Sequence, residues 1–166
     1  MHLHEESSSM RVHEVLGCPM SDRPSPNTVS AWIALVRAHQ FAMSTVESAL
    51  KEANLPPLQW YDALLELELV ESPGLRLIEL EERLLLPQYG VSRLAARLEA
   101  NGLIERKKSP EDKRGQVATI TRKGIDVRRM MWPVYSRAIQ RAIGAGLTDK
   151  QAESLAVLLN KIDKRK

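Results

Sequence analysis

The chain has 166 residues, 43% of them hydrophobic and 27% charged, with a formal net charge of +3, a length that suits one domain of ordinary size and argues against a two-domain enzyme. One Phe and three Tyr against plentiful Leu, Ala and Glu weigh against an all-β barrel and for a mainly helical domain, because strands favour aromatic and β-branched side chains. The single cysteine, Cys18, excludes an internal disulfide framework and a multi-cysteine zinc site, and no apolar run reaches the roughly 18 residues needed to cross a membrane.

Residues 1–27 carry His2, His4, a Ser7 to Ser9 run and Pro19, Pro24 and Pro26, with no helical or strand period, and read as a flexible tail. They lack the apolar stretch of a secretory signal, so the chain is expected in the cytoplasm. His2, His4 and Glu5 have no fourth ligand close by and would have to order a flexible segment, so neither a metal nor another cofactor is expected. From Asn27 to Ala53 the pattern is helical, with Ser30 or Asn27 as cap and apolar residues at Ala31, Leu35, Ala38, Ala42, Val46, Ala49 and Leu50. Trp32, Ile33 and Val36 widen that face, so the helix needs more than one neighbour. Leu55, Pro56 and Pro57 end it, and a second helix runs from about Leu58 to Leu69 with Trp60, Leu64, Leu65 and Leu67 inward. Ser72, Pro73 and Gly74 form a turn.

A short helix spans about Leu77 to Leu84. Pro87 suits the first position of the next helix, in which Val91, Leu94, Ala95 and Leu98 stand at i, i+3, i+4 and i+7 and make one buried face. Gln88, Tyr89, Ser92, Arg93, Ala96 and Arg97 occupy the opposite face, and Gly102 supplies the left-handed residue that stops the helix. Leu103 to Lys108 and Gln116 to Thr121 then read as two short strands around a polar, basic tip. A long helix begins at Thr121 or Arg122 and reaches about Ala145, with Pro133 expected to kink it. A last helix opens on Thr148 and Gln151, at capping-box spacing, and carries Leu155, Leu158, Leu159 and Ile162.

The modest total charge conceals a division: residues 47–82 sum to −7 and residues 83–129 to +7. A basic block of this kind is the electrostatic footprint of a polyanion partner, because Lys and Arg that neutralise phosphates release condensed counterions. No Gly-rich phosphate loop, nucleophile elbow or metal-ligand cluster is present, and the histidines lie at 2, 4, 13 and 39, so nothing supports an enzyme.

Short helix, turn, helix and basic hairpin is the order of a winged helix-turn-helix. The segments Tyr61 to Leu65, Leu75-Arg76-Leu77 to Glu79-Leu80, Ser92-Arg93-Leu94 to Arg97-Leu98-Glu99, Asn101-Gly102-Leu103-Ile104-Glu105-Arg106, Pro110 to Arg114, and Ile120 to Gly124 resemble, in that order, the MarR (multiple antibiotic resistance regulator) family. The resemblance implies a mainly α fold with a small β-hairpin, in which a winged helix-turn-helix DNA-binding lobe (57–123) sits within a single domain (28–164) whose flanks (28–56 and 124–164) are dimerisation helices. It also implies a homodimeric transcriptional repressor released by a small lipophilic or phenolic effector, and double-stranded DNA with a palindromic operator as partner. Gln88, Tyr89, Ser92, Arg93 and Arg97 then fall on the recognition helix, Gln88 and Arg93 with donor geometry for base edges and Tyr89 and Ser92 for phosphates. Arg114 falls on the wing arginine that family members place in or near the minor groove and Asp112 on its orienting carboxylate, with Lys107, Lys108 and Lys113 as backbone charge. The resemblance places the dimer interface on Trp32, Leu35, Leu147, Leu155, Leu158, Leu159 and Ile162, and a ligand pocket near His39, Trp60, Met131 and Trp132. Glu81 and Leu85 stand where the family usually has small residues. That leaves open a winged-helix protein-interaction module without DNA binding, and Cys18 leaves open a redox-sensing regulator.

Overall fold

The computed structural model describes residues 23–70, 74–84, 90–108 and 116–162. The Cys18 and His2/His4 expectations lie outside them. Along the chain run α1 (Pro26–Glu52), α2 (Leu58–Glu68), β1 (Leu75–Arg76), α3 (Leu77–Arg83), α4 (Val91–Ala100), β2 (Ile104–Lys108), β3 (Gln116–Ile120), α5 (Arg122–Ile139), a π-helical turn (Gln140–Gly144) and α6 (Asp149–Asn160). No described helix is long and apolar enough to cross a membrane.

The chain divides into two compact units, Met1–His39 and Gln40–Lys166. In the first, the described part of α1 is mostly exposed, Trp32 by 65%. The second holds two apolar clusters. One gathers Leu64 and Leu67 of α2, Leu80 of α3, Val91, Leu94, Ala95 and Leu98 of α4, then Leu103, Ile104 and Ala118. The other gathers Val46, Ala49 and Leu50 of α1, Leu58 and Tyr61 of α2, and Met131 and Ala138 of α5. Helix α2 therefore contributes to both, which its apolar residues permit because they surround more than one stripe.

Local chemistry sets the junctions. After Asn54, in left-handed backbone at φ 54°, the Leu58 N–H at the start of α2 donates to Glu47 Oε1 at 3.2 Å, which satisfies one of the donors a helix start leaves over. Helix α4 ends as the glycine pattern predicts: Gly102 sits at φ 68°, its N–H donates to Glu99 O at 2.8 Å and the Leu103 N–H to Leu98 O at 2.9 Å, the paired bonds of a Schellman stop. Thr121 caps α5 by accepting from the Gly124 N–H at 3.1 Å. Thr148 and Gln151 form the expected capping box of α6.

Three expectations change. Helix α4 begins at Val91 and not at Pro87, because Gly90 adopts φ 99° and ψ 52°, which no helix interior allows, and serves as the cap. Gln88 and Tyr89 thus precede the described helix and lie outside the described residues. The hairpin gains a third strand, since β1 pairs antiparallel with β3 through Leu75 with Ala118 and Arg76 with Val117, giving the order β1-β3-β2. Two residues are too few to show a strand period. As the middle strand, β3 buries both Val117 and Ala118, which explains why it does not alternate. Finally, the α-helical part of α5, with Pro133 inside it, ends at Ile139, and the expected α-helical run to Ala145 widens into a π turn, with Gly144 leaving room for the folded-back side chain of Gln140.

Candidate nucleic-acid interface

Helix α4 is two-faced. Val91, Leu94, Ala95 and Leu98 are buried against α2, α3 and the sheet, which leaves Ser92, Arg93, Ala96 and Arg97 exposed on the far side. Arg93 and Arg97 stand at i and i+4 and so share one surface ridge. Leu94, Ala95 and Leu98 are at most 5% exposed, so the helix cannot roll about its axis without emptying the core. The direction of the two guanidiniums is set by packing they take no part in.

The sheet carries further charge. Strand register places Lys107 opposite Val117 and Lys108 opposite Gln116. Lys107 is exposed and makes a 3.1 Å ion pair with Glu105, two residues back on the same face of β2, while of the Lys108 side chain nothing is described. The hairpin tip that holds Asp112, Lys113 and Arg114 lies outside the described residues, as do Gln88 and Tyr89. Of the ten predicted contact residues, then, the described surface holds Ser92, Arg93, Arg97 and Lys107 as exposed side chains.

On the alternate face of β2, Arg106 turns inward. Its backbone N–H donates to Glu99 Oε1 at 3.2 Å, its Nε to Glu99 Oε2 at 2.8 Å, its Nη2 to the same oxygen, and its Nη1 to Gln116 Oε1 at 3.4 Å. The Arg106 guanidinium, hydrogen-bonded to Glu99, holds that carboxyl below the usual carboxylate range, against the opposing effect of partial desolvation. The pattern Arg106-Lys107-Lys108 reads as one basic run, and period 2 alone separates its members. The alternation was the available signal for this pair, which the sequence expectation missed.

The residues expected to line a ligand pocket are found in different local surroundings. Trp60 packs against the α2-α3-α4 cluster, and Met131 is fully buried in the other. Trp132, 47% exposed, stacks on Tyr61 at 6.1 Å between ring centroids and meets Tyr135 edge-on at 5.9 Å. His39 is exposed in the first unit. Around the aromatic group, Arg128 lies 5.8 Å over the Tyr61 ring and pairs with Glu68, while Asp62 is buried beside it on α2 at 3% exposure. A separate groove of about 520 Å³ runs between Ala49, Glu52 and Ala53 of α1 and Val134, Arg137, Gln140 and Arg141, and none of the four expected pocket residues borders it.

The expected interface residues remain outside the cores. Helix α6 buries no residue: Leu155 is 37% exposed and Leu158 57%, with Ile162 beyond its end at 65%. Leu35, Leu147 and Leu159 are half-buried.

Residues 53–115 match the model of the MarR family. The HTH-type transcriptional regulator YkoM of Bacillus subtilis is 34% identical over 111 residues, 67% of this chain and 70% of that protein. Among solved structures, a MarR family transcriptional regulator from Streptomyces coelicolor in complex with DNA is similar with a TM-score of 0.75 and 27% identity, over 84% of this chain and 88% of that one. BpsR of Bordetella bronchiseptica, whose DNA binding is regulated by 6-hydroxynicotinic acid, shares the fold with a TM-score of 0.71 and 20% identity, over 89% of this chain and 97% of that one.

Proposed function

The chain belongs to the MarR family, and from that premise we propose that it is a DNA-binding transcriptional regulator, a homodimeric repressor acting in the cytoplasm and carrying out no catalysis. The observation that carries this reading is the exposed Ser92, Arg93 and Arg97 face of a helix whose other side is locked in the core. In this reading residues 57–123 form the DNA-binding lobe, and 28–56 with 124–164 the dimerisation part of a single domain. Helix α4 enters the major groove, where Arg93 spans the two acceptors of guanine and Ser92 binds phosphate. Gln88 reads adenine, Tyr89 holds phosphate, and Arg97 adds charge along the groove. Lys107, Lys108 and Lys113 approach the backbone while Arg114, oriented by Asp112, reaches the minor groove. Two protomers related by a dyad read half-sites about one helical turn, roughly 34–36 Å, apart.

A relative whose DNA binding responds to 6-hydroxynicotinic acid supports release by a small lipophilic or phenolic effector, with His39, Trp60, Met131 and Trp132 the residues through which it acts. The DNA reading is tested by titrating a labelled operator duplex over a range of salt. Arg93→Ala is expected to weaken specific binding by about 1–3 kcal/mol and to relax preference at one base position, whereas Lys107→Ala weakens all sequences alike and makes the salt dependence shallower by about one phosphate. Equal loss on every sequence for Arg93→Ala contradicts its role as a reader.

A further inference from the structure

Arg106 stands at the start of a basic run, yet its guanidinium is not offered to solvent as Lys107 is. Its side chain is 21% exposed, and its donors are taken by Glu99 in the last turn of α4 and by Gln116 at the start of β3. Glu99 in turn receives the backbone N–H of β2 as well as the guanidinium fork. One side-chain pair thus ties together three elements: the helix that carries Arg93 and Arg97, and β2 and β3, the two strands of the hairpin that carries Lys107. We propose that Glu99 and Arg106 are a positioning pair that fixes the angle between α4 and the β2-β3 hairpin, so that both engage one duplex at once. This rests on the DNA-binding reading and adds to it residues that touch no nucleotide.

The geometry separates this role from direct contact. A planar fork held against a carboxylate defines direction as well as distance, and a contact group must be held by its neighbours to within about half an ångström to act fully. The other links between α4 and the hairpin end are single bonds, from Thr121 Oγ1 to Gly102 O and from Lys123 Nζ to Asn101 O, each 2.8 Å, and both lie at the far end of β3 from Gln116. Beyond apolar packing, no other described hydrogen bond or ion pair ties the half of the hairpin nearest its tip to α4.

Charge makes the test decisive. Glu99→Gln removes a negative charge close to the proposed phosphate-binding face, so on electrostatics alone it tightens DNA binding. A positioning role predicts the opposite sign. Affinity for an operator duplex is measured by fluorescence anisotropy for the full chain and for Glu99→Gln, Arg106→Lys, Arg106→Gln and the Glu99→Gln/Arg106→Gln double variant, with helical content and thermal midpoint followed by circular dichroism. Glu99→Gln is expected to bind roughly tenfold more weakly despite its lost negative charge, and Arg106→Lys to lose as much although its charge is kept. The double variant is expected to be no weaker than Arg106→Gln, as for two members of one interaction. Tighter or unchanged binding by Glu99→Gln, or full affinity in Arg106→Lys, overturns the proposal and makes Arg106 an ordinary phosphate contact. An affinity loss that tracks helix content across the variants also overturns it. Failure of the unsubstituted chain to bind any duplex removes the DNA reading and the pair's role together, whereas normal binding with unaffected variants removes the pair alone.

Discussion

Single residues here owe their roles to what surrounds them more than to their type. Arg93, Arg97, Arg106 and Lys107 are all cations of the basic block, but burial of four apolar neighbours turns the first two outward and strand alternation turns Arg106 inward. The acidic side shows the same dependence. Burial pushes the Glu66 carboxyl up, the neighbouring Asp62 charge adds to this, and Arg83 partly opposes it. The folded state therefore holds the Glu66 proton more tightly than the unfolded chain does, so ionisation costs stability: the cost is absent below the unfolded value, near 4.3, and complete above the raised folded one. Glu66→Gln is expected to raise the denaturation midpoint at neutral pH and to lose that gain in acid below the unfolded value. A lower midpoint at neutral pH would contradict the burial account. Of the candidate contacts, the outward position of Ser92, Arg93 and Arg97 was legible because an apolar face at i, i+3, i+4 and i+7 defines its opposite. The Glu99–Arg106 pair was not: strand alternation separates Arg106 from Lys107, but no local period names its partner on α4.

Helices and turns were the most legible elements. Long 3.6-residue periods with strong stops, such as Gly102 and the Thr148-Gln151 box, gave helices with ends within a few residues of those observed. The misses have local causes: β1 is too short to carry a period, and Gly90 acts as a left-handed cap where a helix starting at Pro87 needed it in helical backbone. The close approach of α5 to the loop after α4 was equally hidden. A Cβ on Gly124 would fall on the Leu103 carbonyl oxygen and lie 2.8 Å from Ile120 Cγ1, so glycine is required there for contact and not for backbone freedom. Gly124→Ala is expected to destabilise the fold by about 1–3 kcal/mol, as overpacking does, seen as a lower midpoint in urea. An unchanged midpoint would show that α5 can lift from the loop at no cost.

For the whole molecule, the net charge of +3 is the sum of unlike regions. The acidic stretch lies mainly in α1, α2 and α3, and the basic one runs from α4 through the hairpin into α5. The fold class and the family could be read from the sequence because ordered short segments restrict topology more than any one of them does. Assembly was legible only as surplus: α6 carries apolar residues and buries none within the chain. Leu158→Asp is expected to shift sedimentation from dimer to monomer and to weaken operator binding with it, since half-sites are then bound singly. A dimer that persists with full affinity would place the interface elsewhere.

The central claim is that two copies of this chain read a symmetric duplex through α4 and the adjoining hairpin. Selection of bound duplexes from a random pool at moderate salt tests it most directly. The account predicts a palindromic consensus with half-sites about one turn apart, and loss of enrichment when Arg93 and Arg97 are both replaced by Ala. No enrichment at any salt, or a consensus without two-fold symmetry, would contradict it.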